Sequence, residues 1–120
     1  LKTDLVDTML AVTDDQLGKM KIEWSQDPCV GVVLASGGYP GRYRTGLPIT
    51  GLDNLDKDIM VFHAGTALSG GIVTSGGRVL TVAASGRTIA EARSRIYANT
   101  PRIQFEGCHY RRDIAARELL

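Results

Sequence analysis

A chain of 120 residues, 43% of them hydrophobic, has enough apolar material for one packed core, and its composition is not that of a disordered, collagenous or disulfide-dense sequence. The formal net charge of +1, with Lys and Arg interspersed among acids, gives no long-range field of the kind a nucleic-acid binder uses, so nucleic acid is not an expected partner. No apolar run approaches the roughly 20 residues that span a bilayer, and the opening Leu1-Lys2-Thr3-Asp4 lacks the basic and apolar regions of a secretory signal, so a cytoplasmic protein without membrane contact is expected.

Leu5, Val6, Met9 and Leu10 share one face of a helix over 3–12, with Thr3 and Asp4 able to cap its start. Thr13 and Gln16 offer a capping box for one more turn before Gly18. Lys21 to Trp24 alternates as a short strand does. Cys29 to Ala35 is an apolar, β-branched run bounded by turn residues, which predicts a buried strand; Ile59 to Phe62 predicts a second. Between them lies Ser36-Gly37-Gly38-Tyr39-Pro40-Gly41, and after the second comes His63-Ala64-Gly65-Thr66. Ile72 to Thr74, the Ser75-Gly76-Gly77 turn and Arg78 to Ala83 read as a β-hairpin. Thr88 and Glu91 form a capping box for a helix carrying Ile89, Ala92, Ile96 and Tyr97 at helical spacing, with Pro101 beyond its end. The tail offers Phe105-Glu106-Gly107 and a final turn or helix over 114–120. Strands grouped between helices predict an α+β fold rather than a doubly wound parallel sheet.

Few residues carry chemistry on their own. The three glycines of the 36–41 loop remove side-chain bulk where backbone N–H groups could approach an anion, but the loop has neither P-loop nor dinucleotide-binding spacing, and a tight turn explains it as well. His63, at the end of an apolar strand, could donate to a substrate or act as a general base; its ring could equally be satisfied by the adjoining loop. His109 lacks a partner at nucleophile or ligand spacing. Asp53, Asp56 and Asp58 read as a solvated loop, and Arg111-Arg112-Asp113 as a phosphate contact or a surface ion pair. Cys29 and Cys108 match no zinc spacing and read as reduced, mostly buried thiols. No complete metal site and no catalytic residue is expected within this chain.

Five strings extend that reading. They are Val33-Leu34-Ala35-Ser36-Gly37-Gly38-Tyr39-Pro40-Gly41, Val61-Phe62-His63-Ala64-Gly65-Thr66, Gly76-Gly77-Arg78-Val79-Leu80, Phe105-Glu106-Gly107 and Tyr110-Arg111-Arg112-Asp113-Ile114. In this order they closely resemble the C-terminal domain of the glycinamide ribonucleotide synthetase (phosphoribosylamine–glycine ligase) family. The likeness extends over essentially the whole chain, since Leu1 to Val6 resembles the helix preceding that domain. It implies a small β-rich unit of the ATP-grasp C-terminal type (rudiment single hybrid motif, barrel-sandwich-like) with flanking helices. The expected division is a helical lead-in from the preceding ATP-grasp domain at 1–18 and the C-terminal domain at 19–120.

The resemblance further implies an enzyme of purine biosynthesis that joins glycine to 5-phosphoribosylamine through an acyl phosphate, using ATP and magnesium or manganese. The motifs that hold ATP and metal in that family are not in this sequence. The chain, which opens on Leu in a helical pattern, is therefore expected to be an inactive piece of the ligase, partnered by that ligase's N-terminal and ATP-grasp domains. Substrate-proximal roles carry over to Gly37, Gly38, Tyr39, Pro40 and Gly41, and to His63, Gly65 and Thr66. Arg42, where the family often has an acid, changes the charge beside the loop; Ala115, where glycine is common, calls the tail's backbone geometry into question. Two other readings are a stand-alone binding or interaction module of the same fold, and a biotinyl- or lipoyl-type carrier. The latter is disfavoured because the Ser75-Gly76-Gly77 tip holds no lysine.

Overall fold

The computed structural model describes residues 1–119; of the predicted final turn or helix over 114–120, Leu120 lies outside the described residues. Helix α1 spans Leu5–Thr13 and starts where the sequence predicts, because the Asp4 carboxylate accepts hydrogen bonds from the Val6 and Asp7 amides at 2.8 and 3.0 Å. Its apolar face is largely open among the described residues. Leu5, Val6, Met9 and Leu10 are 54%, 63%, 58% and 54% exposed. The expected Thr13–Gln16 box does not form: Thr13 donates its hydroxyl back to the Leu10 carbonyl, and a single 3-10 turn, Leu17–Lys19, follows without a side-chain cap. Residues 21–24 stay irregular and lie against the chain start, where the Lys2 and Thr3 amides both donate to the Glu23 carbonyl.

Strand β1 (Cys29–Ala35) pairs antiparallel with the long strand β5 (Arg78–Ser85), whose other edge takes β2 (Met60–His63), giving the order β1-β5-β2. β3 (Thr66–Leu68) and β4 (Ile72–Thr74) form a second, two-stranded antiparallel sheet. Val32, Val82 and Val61 stand in register on the inner face of the large sheet. There helix α2 (Ile89–Asn99) packs Ala92 and Ile96, both fully buried. Its start follows the sequence: the Thr88 hydroxyl accepts from the Glu91 amide at 3.1 Å, while the Glu91 carboxylate reaches the Arg87 amide. Two antiparallel sheets with a helix on one side and a second at the chain start make up the expected α+β domain.

Three expectations are corrected. β1 is buried on one face only, since Cys29, Gly31 and Val33 point outward in strict alternation; Cys29 is exposed, not a buried thiol. β2 is an edge strand rather than a buried one, with Phe62 55% exposed. Residues 72–83 are not a hairpin. β4 pairs with β3 while β5 pairs with β1 and β2, so the Ser75-Gly76-Gly77 turn carries the chain from one sheet to the other. β5 sits at the centre of the three-stranded sheet with β1 and β2 on its two edges, which leaves it no edge for β4.

Polar burial is economical. Asn99, fully buried at the end of α2, accepts from the Asp56 amide and donates to the Asp56 carboxylate and the Arg95 carbonyl, each at 2.9 Å. Asp56 therefore anchors its loop to α2 and is not merely solvated. Arg102 adds an ion pair at 2.9 Å, and these donors hold the Asp56 carboxyl below its ordinary value, Asn99 foremost.

Candidate functional site

The glycine-rich loop is fastened from beneath. Ser36, fully buried, donates its amide to the Gly77 carbonyl and its hydroxyl to the Gly76 carbonyl, both at 2.8 Å. The loop then turns tightly: the Tyr39 amide donates back to the Ser36 carbonyl, and the Tyr39–Pro40 peptide is cis. At Gly38 φ is +96°, and a Cβ would stand 2.1 Å from the Arg42 carbonyl oxygen. A Cβ on Gly37 would press on the Gly107 backbone at 3.0 Å. The need for glycine here is thus explained by the chain's own contacts, and the Tyr39 N–H is consumed within the turn.

Two connections between the sheets run side by side below this loop. His63-Ala64-Gly65-Thr66 leads from β2 to β3, and residues 75–78 lead back from β4 to β5. The Ala64 and Gly65 amides donate to the Val79 and Arg78 carbonyls, and the Ser75 amide donates to the Gly65 carbonyl. Such a close crossing needs a bare backbone, for a Cβ on Gly65 would lie 2.8 Å from the Gly76 Cα. At Gly77 the Tyr39 ring takes the room a side chain would use, since a Cβ there would fall 2.2 Å from the ring. Tyr43 lies alongside, with ring centroids 6.2 Å apart.

The result is a cleft of about 560 Å³ lined by Val33, Tyr39, Tyr43, Ala64, Gly65, Gly77, Arg78 and Thr81. Of the eight sequence-predicted site residues, Tyr39 and Gly65 line it. Gly37, Gly38, Pro40 and Gly41 shape the loop behind Tyr39 without lining the cleft. His63 and Thr66 bond to each other, Nδ1 to Oγ1 at 3.0 Å, as expected for a histidine satisfied by its own loop. Sequence reasoning missed Tyr43, Thr81 and Arg78 as site residues. The signals available were an aromatic four residues beyond Tyr39 and an arginine directly after the paired glycines.

A somewhat larger concavity, about 640 Å³, lies between the segments at Pro48–Thr50 and Ile103–Cys108 and holds none of the predicted residues. Its Cys108 thiol is pushed up to about 11 by burial and is a poor nucleophile at neutral pH. Arg111 and Asp113 pair at 2.6 Å on the surface, which favours the ion-pair reading of that segment. Among the described residues no three His, Cys, Asp or Glu side chains cluster so as to hold a metal ion, and no helix is long and apolar enough to cross a membrane.

The inter-sheet crossings and the cleft above them belong to an α+β domain of two antiparallel sheets and two helices. Residues 29–117 match the family described as "Phosphoribosylglycinamide synthetase, C domain", and the chain belongs to that family. It is 45% identical to a phosphoribosylamine–glycine ligase of Caldanaerobacter subterraneus subsp. tengcongensis, over 97% of this chain and 28% of that protein. With the Escherichia coli O157:H7 protein of the same name, identity is 47% over 99% of this chain and again 28% of the relative. The crystal structure of a Thermotoga maritima phosphoribosylamine–glycine ligase superposes with a TM-score of 0.72 and 37% identity, covering 91% of this chain and 28% of that one. The chain thus spans 28% of the length of each of these relatives.

Proposed function

We propose that this chain serves as the C-terminal domain of a phosphoribosylamine–glycine ligase, which forms glycinamide ribonucleotide from glycine and 5-phosphoribosylamine in cytoplasmic purine synthesis, and that it is inactive alone. The observation that carries this is convergence: the glycine-rich loop, the His63–Thr66 connection and the Gly76–Arg78 turn, far apart in sequence, meet at one cleft in a chain of this family. The domain's contribution is a substrate-side wall built on Gly37, Gly38, Tyr39, Pro40 and Gly41, with His63, Gly65 and Thr66 holding the adjoining crossing.

ATP and a divalent ion supply the phosphoryl-transfer chemistry in this reading. In the same reading those groups fall to the parts of the ligase outside this chain. Residues 1–18 are the lead-in from the preceding domain and 19–120 the C-terminal domain proper. Support comes from α1, whose apolar face is more than half exposed among the described residues although so short a helix gains most of its stability from packing.

The test is a chimera in which this chain replaces the corresponding part of the Escherichia coli relative. It is expected to restore glycine-dependent ATP hydrolysis and growth without added purine, while the isolated 120-residue chain shows no such hydrolysis. A folded, soluble chimera without ligase activity, or turnover by the isolated chain, would overturn the reading.

A further inference from the structure

We propose that the pocket between Arg93, Tyr110 and Arg112 is an anion site for a phosphate group, free or carried by a small organic molecule. Its walls are Arg93, Tyr97, Pro101, Tyr110 and Arg112, around a volume of about 250 Å³. None of these residues lines the cleft at the glycine-rich loop. Val33 and Thr81 face that cleft from the side of the large sheet opposite α2, whereas this pocket rests on α2 itself, so its occupancy is independent of the ligase reading.

Charge is the first ground. Arg44, Arg87, Arg95, Arg102 and Arg111 each lie within 3.3 Å of a carboxylate oxygen. Arg93 and Arg112 have no such partner among the described residues, and no acid lines their pocket. Arg93 is half-buried. Its Nε donates to the Ile114 carbonyl at 2.9 Å and its Nη2 to the Arg112 carbonyl at 2.7 Å, and the guanidinium stands 4.7 Å from the centre of the Tyr97 ring. Those partners are neutral, so a cation drawn partly out of water keeps its charge unmatched, and a bound anion supplies the missing counter-charge. The Arg111–Asp113 ion pair accounts for its own two members and leaves Arg112 exposed, without a side-chain hydrogen bond among the described residues. Two guanidinium forks suit one group that carries several acceptor oxygens, as phosphate does.

Rigidity is the second ground. Beyond the two bonds from Arg93, the Tyr97 hydroxyl donates to the Arg111 carbonyl at 2.7 Å and accepts the Ile114 amide at 3.2 Å, so residues 111–114 are pinned to α2. The Tyr110 ring lies beside that of Tyr97, with centroids 6.4 Å apart. Side chains held on packed elements position a ligand better than those of a free loop. The third ground is shape. At about 250 Å³ the pocket falls below the roughly 300 Å³ at which pockets for whole ligands begin, and suits a head group. It shares Pro101, Tyr110 and Arg112 with the concavity of about 640 Å³ along 103–108, where the remainder of a larger molecule would lie. The acid of that concavity, Glu106, is already paired with Arg44 at 2.9 Å.

The experiment follows backbone amide shifts of the 15N-labelled chain during separate titrations with inorganic phosphate, AMP and adenosine, at constant ionic strength. Saturable shifts at Arg93, Tyr97, Tyr110 and Arg112 are expected with phosphate and AMP and not with adenosine. Arg112→Gln should weaken the binding of both by about tenfold or more. Lys57→Gln removes the same charge from an exposed loop residue that lines neither concavity, and should leave binding unchanged. Because Arg112 is exposed, its variant should keep its fold, and an unchanged spectrum away from residues 93–114 checks this. Tighter binding of AMP than of phosphate, with shifts spreading over 104–108, identifies a phosphate carried by an organic molecule; equal or weaker binding of AMP identifies the free ion. No saturable shift at the pocket, binding indifferent to Arg112→Gln, equal weakening by Lys57→Gln, or shifts confined to the glycine-loop cleft at Tyr39, Gly65 and Gly77 would overturn the proposal.

Discussion

Replacing Gly38 by alanine tests whether the glycine-rich loop is held by its own geometry. The added Cβ would lie 2.1 Å from the Arg42 carbonyl oxygen, where carbon–oxygen contacts normally close at about 3.3 Å, so the loop must open by roughly 1 Å. The residue also sits at φ +96°, a conformation that costs a side-chain-bearing residue about 1–2 kcal/mol. With an overpacking cost of about 1–3 kcal/mol, the sum is about 2–5 kcal/mol. Gly46→Ala is the control: its φ is +77° but a Cβ there meets nothing within 4 Å, so only the conformational cost remains. At roughly 4 °C per kcal/mol for a domain of this size, Gly38→Ala should lower Tm by about 8–20 °C and Gly46→Ala by about 4–8 °C. Thermal melts by circular dichroism measure both. Equal melting temperatures would refute the steric account of the loop. If the difference is found, any functional loss in a Gly38 variant reflects the loop's collapse first, and Tyr39, which lines the cleft, is the cleaner position at which to probe it.

Asn99→Ala strands the partners of a fully buried amide and should cost about 1–3 kcal/mol in urea titration; protection of the Asp56 amide against hydrogen exchange should fall with it. The Asn99 and Arg102 donors depress the Asp56 carboxyl below the ordinary 3.8, so the unfolded chain binds that proton more readily than the folded one. The stabilisation is complete above the ordinary value and is lost as pH falls through the lower folded value. Asp56→Asn should therefore flatten the decline in Tm below about pH 4, and an unchanged acid limb would argue against this. Ala115 adopts φ +58°, and Ala115→Gly should relieve strain and raise stability by up to about 1 kcal/mol; a lower Tm would mean that the tail does not hold this conformation.

Features set by near neighbours could be read from the chain itself. The Asp4 and Thr88 caps, with Glu91 three residues beyond the latter, need only local backbone, and both helices begin where those residues predict. The β-branched run at Cys29–Ala35 is a strand, and Ala92 and Ile96 reach the core, because side-chain periodicity is fixed by backbone geometry. Family likeness was carried by short strings such as Gly37 to Gly41 and Gly76 to Leu80, whose spacing survives without any knowledge of what they touch.

What tertiary structure alone decided was partnership. Two runs flanking a glycine turn read as a hairpin, but β4 and β5 went to different sheets because strand pairing is chosen among all available edges and not by the nearest turn. Asp56 looked solvated until Asn99, 43 residues on, reached it. His63 bonds within its own connection, while Tyr43 and Arg78 meet only once the loop is pinned on the turn by Ser36. The cleft exists because two inter-sheet crossings pack backbone on backbone at Gly65 and Gly76. Contacts between residues distant in sequence leave no periodic trace in the chain, so the glycines were legible as glycines, and the site they floor was not.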